Sequence, residues 1–369
     1  MSFLYNDNPL SRASHSSWAM AIFLCGLLVA TICLSAGMGY LKIAWTDVLR
    51  VVWAEILRLM CTFRESMADR SLSCDAFAAG LNELTRTIVI DVRLPRILTA
   101  ATVGGGLALC GVVFQGILLN PLADPYTLGV SAGAAFGAAV ALLLNLTAAG
   151  IYSVPICAFI GATATLLLVI YLSSSAGGAS ANNLILSGII VAAILSAGIS
   201  FLKYVADEQV SVIIFWLMGS FASKTWADLG LTIAFLIPGM AIFLFYARDL
   251  NLLCLGRRAA ASLGVDARRV PWILLVTASL VAAACVAVSG IIGFVGLLVP
   301  HMMRAIVGPD NRRLLPLAFL GGAVLLLWAD TLTRAVLPHE IPIGVLTALI
   351  GGPFFCYLFR RRQTGSGGF

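Results

Sequence analysis

Few side chains in this sequence could do chemistry within apolar surroundings. Two polar groups, Gln115 and Asp330, fall inside long apolar runs. A carboxylate in such a run usually marks ion or proton coupling. Arg334, however, follows Asp330 by four residues, the spacing of a structural ion pair on one helix face. The three histidines, His15, His301 and His339, are scattered over a tail and two loops. No H-E-x-x-H, paired-cysteine or aspartate-rich pattern accompanies them, so no metal site is expected. There is no P-loop pattern, and Gly104 to Gly106 neither satisfy G-x-G-x-x-G nor follow a strand. ATP is therefore not expected to bind through these motifs, and a transport role fits better than an enzyme. Most of the nine cysteines lie in apolar runs, where they act as small apolar residues. Cys61 and Cys74 lie outside them, and an oxidising compartment would let them pair.

The elements that carry these groups follow from composition. Of 369 residues, 60% are hydrophobic and 11% charged, with a mean hydropathy of +1.01. Soluble domains carry about 45–50% apolar and about 25% charged residues. The excess apolar surface must face lipid, which excludes a soluble enzyme, a nucleic-acid binder and a secreted disulfide scaffold. At about 20 residues per span, the sequence predicts an all-α polytopic membrane protein of about ten transmembrane helices. The spans fall near 18–38, 95–118, 126–146, 151–172, 184–204, 229–246, 272–289, 292–307, 315–333 and 343–359. With both ends on one side, the loops and tails of that side hold twelve arginines, among them Arg248, Arg257, Arg258, Arg268 and Arg269, against five aspartates. The positive-inside rule makes that side cytoplasmic, so the net charge of +6 is a topology signal.

Two long stretches do not span. Residues 40–92 lie outside, and Val48, Val51, Val52, Ile56 and Leu59 repeat at helical spacing, as in a helix lying on the membrane surface. Residues 248–270 form the longest inside loop, read as a short amphipathic helix broken at Gly256 and offered to a cytoplasmic partner or to solvent. Within the spans, Gly129, Gly133 and Gly137 repeat every fourth residue, which permits close helix packing.

From residue 93 onward, several runs occur in a familiar order. They are R-L-P-R at 93–96, N-P-L-A-D-P at 120–125, L-G-V-S-A-G at 128–133, G-F-V-G-L-L-V-P-H at 293–301 and I-P-I-G at 341–344. Together the sequence resembles the permease subunits of type II ABC importers for iron-siderophores, haem and cobalamin, the FecCD family, over about 85–360. The resemblance implies a core at 93–362, preceded by a tail, first helix and periplasmic segment at 1–92 and followed by a tail at 363–369. It implies a multi-pass protein of the bacterial inner membrane with both termini cytoplasmic. A second permease copy, or a close paralogue, would complete the path. Two cytoplasmic ATPase subunits would carry ATP and Mg, with no cofactor on this chain, and a periplasmic binding protein would deliver the ligand. An iron chelate, siderophore or haem, is the first expectation and cobalamin the alternative. An ion-coupled secondary transporter is the competing class.

The resemblance also assigns residues. Arg93, Arg96 and Arg334 would face acidic residues of the binding protein, since arginine matches carboxylate bidentately. Asn120, Leu122, Ala181 and Asn182 would form the cytoplasmic gate. Leu252, Leu253, Gly256, Arg257, Arg258 and Leu263 would lie on the ATPase coupling loop. Arg257 and Arg258 depart from the acidic residue common there, which implies a more acidic ATPase surface.

Overall fold

The computed structural model describes residues 9–39, 43–67, 82–146, 150, 152–175, 180–335 and 340–363. Cys74 and His339 lie outside these, and so does the question of a pairing between Cys74 and Cys61. Among the described residues every regular element is a helix. In lipid, helices satisfy their own backbone groups, and this composition leaves no other solution. Seven helices are long and apolar enough to cross a membrane. They are α1 (Pro9–Gly37), α4 (Leu94–Ile117), α6 (Ser153–Ser175), α7 (Ala181–Val205), α9 (Trp226–Phe245), α12 (Arg269–Ser289) and α14 (Asn311–Ala335). Three shorter apolar helices complete the ten expected: α5 (Val130–Leu143), α13 (Val295–Val307) and α15 (Ile343–Gln363).

Two of these are shorter than their apolar runs. At about 1.5 Å per residue, the 14 residues of α5 and the 13 of α13 cover only about 20 Å each. The starts of both runs, 126–129 and 292–294, are irregular backbone continuous with the preceding loops, 118–125 and 290–291. Tyr126 donates its hydroxyl to the carbonyl of Ile292 at 2.8 Å and so links the two irregular stretches.

The outside segment contains α2 (Trp45–Met67), an amphipathic helix whose Val48 and Val51 join the core while Trp53 and Ile56 stay exposed. It is tied to α3 (Glu83–Thr87) by an ion pair between Arg86 and Glu55 at 2.9 Å. A single π-helical turn, Ile88–Arg93, leads into α4. Pro95, at the start of α4, lacks an N–H, and its ring cannot sit against the carbonyl four residues back. A widened turn just before it accommodates that loss.

The buried middle of the molecule is α4, flanked by α14, α12, α13 and α9, whereas α1, α6, α7 and α9 leave wide apolar faces uncovered. Small residues permit this density. Gly111 of α4 lies on the backbone of Gly296 in α13, and a methyl group there would overlap the Gly296 carbonyl. Gly133 and Gly137 bring α5 against Gly161 and Cys157 of α6 in the same way, as their spacing predicts. Loops between the spans add α8 (Val210–Leu217), α10 (Ala247–Leu253) and α11 (Arg257–Ser262).

Candidate functional site

At the end that the sequence assigns to the outside, the widened turn and α4 place Arg93 and Arg96 one helical turn apart, facing the last turn of α14. Arg96 makes a fork on Asp330, with Nε at 3.0 Å and Nη2 at 2.9 Å from Oδ1. It also donates to both carboxylate oxygens of Glu340, at 3.0 and 3.2 Å. Arg334 meets Asp330 Oδ2 at 3.3 Å, the i,i+4 pair that the sequence suggested. Arg334 also donates to the carbonyls of Ser35 (2.7 Å) and Met38 (2.8 Å) and to the Ser35 hydroxyl. Arg93 donates to the Ala36 carbonyl at 2.6 Å. The last carbonyls of α1 lack intrahelical donors, and these two arginines supply them.

The cluster is deeply placed: 1% of the Asp330 side chain is exposed, 7% of Arg334 and 14% of Arg96. Arg93 is buried as well. The three arginines expected at a free outer rim are thus turned inward, onto α1 and α14. Glu340, half exposed, is the acidic group of the cluster that faces outward. It borders a cavity of about 200 Å³, which also touches Arg96, Asp330, Phe215, Phe221 and Pro342.

At the opposite end, which the sequence assigns to the inside, Asn120 accepts the Leu122 N–H at 2.9 Å, forming a tight turn that leaves Leu122 exposed. Ser180 caps α7 by accepting the Asn183 N–H at 3.1 Å, placing Ala181 and Asn182 in the first turn. Gly188 of α7 packs on the backbone of Thr127 and Leu128, so α7 stands beside the loop that carries Asn120 and Leu122. Asp124 in that loop is half-buried, and desolvation raises its carboxyl above the ordinary range. Hydrogen bonds from Thr127 and from the backbone partly offset the effect.

The inside loop is two short helices, α10 and α11, separated at Gly256, whose φ of +101° favours glycine. Leu250 and Leu253 are buried in the core, and Leu252 is packed against it. Leu253 is therefore a core residue; the exposed leucines of the loop are Leu255 and Leu263, flanking Arg257 and Arg258. Asp266 caps the start of α12 by accepting the N–H groups of Arg268 (3.0 Å) and Arg269 (2.9 Å), and these bonds lower its pKa.

Two polar contacts of this end had no local signal in the sequence. Gln115 of α4 accepts from Arg304 of α13 at 3.0 Å. Asn251 of α10 donates to Asp310 Oδ1 at 2.7 Å, and its own oxygen accepts the Asn311 N–H at 2.8 Å. Residues about 60 positions apart are joined there, and only the pairing of opposite hydrogen-bonding types could have hinted at it.

Comparison with known proteins places this geometry. The model of the FecCD transport family matches residues 27–361. The cobalamin import system permease protein of Halobacterium salinarum is 43% identical over 77% of this chain and 76% of its own length. The hemin transport system permease protein of Yersinia pestis is 41% identical over 78% of this chain and 87% of its own. The molybdate import system permease protein of Haemophilus influenzae is 39% identical over 79% and 86%. A solved inward-facing structure, described as a metal-chelate type ABC transporter, superposes with a TM-score of 0.77 at 35% identity. It covers 93% of this chain and 99% of that one.

Proposed function

This chain belongs to the FecCD transport family, and from that premise we propose that it moves a metal chelate inward, from periplasm to cytoplasm, through the bacterial inner membrane. It is a multi-pass ABC importer permease, a transport subunit. In the proposed assembly a second copy, or a close paralogue, completes the path. Two ATPase subunits, holding ATP and Mg, seat on the inside loop, and a periplasmic binding protein docks outside. Both termini are cytoplasmic. The observation that carries the reading is the inside loop: Leu255 and Leu263 project beside Arg257 and Arg258, while Leu250, Leu253, Ala260 and Val265 anchor the loop in the core. Apolar tips with flanking positive charge suit a soluble partner's acidic groove. Asp330, the buried carboxylate that an ion-coupled carrier would need, is held by two arginines, so nothing in the described spans favours that competing class.

Iron-siderophore or haem is the first cargo proposed, with cobalamin the alternative. Relatives named for cobalamin, hemin and molybdate are comparably similar, so likeness of the permease does not select among cargoes. The cytoplasmic gate is proposed at Asn120, Leu122, Ala181 and Asn182, where α7 meets the 120–128 loop. Docking of the binding protein is proposed at the Arg93, Arg96 and Arg334 cluster. There an incoming carboxylate takes the Nη1 and Nη2 edge of Arg96 that Glu340 now holds. Charge reversal at Arg96 or Arg334 is a poor test of docking, because it places a new carboxylate against buried Asp330.

The decisive experiment reconstitutes the permease in liposomes with the ATPase and binding protein of neighbouring reading frames. Uptake of ferric siderophore, haemin and cyanocobalamin is then measured. Uptake of one of them that requires ATP and the binding protein, and survives a protonophore, is expected. Uptake that persists without the ATPase and collapses with the proton gradient refutes the proposal.

A further inference from the structure

The inner network around Asn251 joins the inside loop to a different spanning helix. A helix begins with N–H groups that have no partner of their own, and a side-chain oxygen nearby usually serves them. In α14 this task is divided. Asp310, the preceding residue, accepts the Arg312 N–H at 3.0 Å through its Oδ1. The Asn311 N–H is instead accepted by Asn251, which belongs to α10. Asn251 simultaneously donates its amide N–H to Asp310 Oδ1 at 2.7 Å. One amide therefore satisfies both a carboxylate and a backbone N–H at the start of α14. Only one orientation of the amide does so, because the reverse would set donor against donor. Asn311 is buried, so water cannot easily replace the lost partner. The apolar side of the joint is closed by Leu250 and Leu253, both buried.

The far end of the same helix is the outer cluster. α14 has 25 residues, about 37 Å at the helical rise, and ends with Asp330 and Arg334 against Arg96. It is packed along its length by α4, α1 and α13. One helix, continuous across Pro316, is thus fastened at one end to the inside loop and at the other to the charged outer rim.

We infer that Asn251 is the positioning residue that latches the inside loop to α14, so that displacement of the loop by the ATPase is carried along α14 to the Asp330, Arg96 and Glu340 cluster. The inference rests on the proposed role of the loop as the ATPase seat. It adds a route, and names a side chain that joins loop and helix by two polar contacts.

The test exploits the polarity of the pair. Asn251→Asp sets two carboxylates face to face and breaks the latch. Combining it with Asp310→Asn restores the bond between positions 251 and 310 with donor and acceptor exchanged, giving up only the Arg312 N–H bond that Asp310 Oδ1 accepts. The amide introduced at position 310 then donates to the carboxylate introduced at position 251, which still accepts the Asn311 N–H. Both variants are assembled with the ATPase and binding protein in liposomes, and ATP hydrolysis and uptake are measured in parallel. N251D is expected to hydrolyse ATP while uptake per ATP falls at least about tenfold, the scale of one lost charge-assisted hydrogen bond. The N251D/D310N pair is expected to recover it. Should N251D not assemble, Asn251→Ala is read instead, since it removes the latch without opposing charges. Normal uptake per ATP in the single variant overturns the latch, as does an equal loss in the double. If the wild-type complex shows no ATP-dependent uptake, the permease proposal itself fails, a result distinct from a coupled N251D.

Discussion

The substitution Asp330→Asn reads the outer cluster most directly. In the native arrangement the carboxylate takes Arg96 at 2.9 Å and Arg334 at 3.3 Å with almost no exposure. Asparagine offers one acceptor oxygen to two guanidinium groups and turns an N–H₂ donor toward the other. Removing one partner of a buried ion pair costs about 3–5 kcal/mol. Arg96 retains Glu340, and Arg334 retains the carbonyls of Ser35 and Met38, which argues for the lower end. About 3 kcal/mol corresponds to a roughly 150-fold shift toward unfolding. The assay is unfolding in mixed micelles of mild detergent and SDS, followed by tryptophan fluorescence, for D330N, R334Q and the double variant. Because both single changes break the same contact, the double should cost less than their sum by at least about 1 kcal/mol. A D330N protein within about 0.5 kcal/mol of wild type, together with an additive double variant, would refute the view that Asp330 holds the rim together.

Two further outcomes follow from packing and capping. Gly111→Ala should strongly reduce the yield of folded protein, because its methyl group meets the Gly296 backbone, which cannot rotate away. Gly230→Ala, in an exposed helical position with open space around it, should be neutral or stabilising by up to about 1 kcal/mol; equal yields of the two in a size-exclusion assay would contradict the α4–α13 contact. Asp266 has a lowered pKa in the folded state, so its capping contribution is complete above the ordinary carboxylate pKa of about 4 and is lost as pH falls through the lower folded value. Hydrogen exchange at Arg268 and Arg269, corrected for intrinsic rates, should show that loss in the wild type and not in Asp266→Asn; identical profiles would remove the cap.

What could be read from the sequence divides along a physical line. Hydrophobic length finds the helices, since every run of sufficient apolarity has one buried or lipid-facing solution, and the ten expected spans correspond to ten apolar helices. It misjudges where α5 and α13 begin, because residues 126–129 and 292–294 continue the apolar runs yet are irregular in the folded protein. Local spacing finds the Asp330–Arg334 pair, the break at Gly256 and the small-residue packing of α5. Contacts across the chain stay hidden: Arg96 with Asp330 spans 234 positions and Gln115 with Arg304 spans 189, and no local pattern encodes either. The rim arginines show why this matters for function. Scarcity of charge is what made Arg93, Arg96 and Arg334 stand out as docking residues. The same scarcity means that a buried carboxylate or an orphaned helix carbonyl has few cations to draw on, and these three are the nearest. Any partner that approaches the outer face must therefore compete with Asp330, Glu340 and the end of α1. The exchange at Glu340 is the least costly route, because that carboxylate alone of the described cluster can return to water.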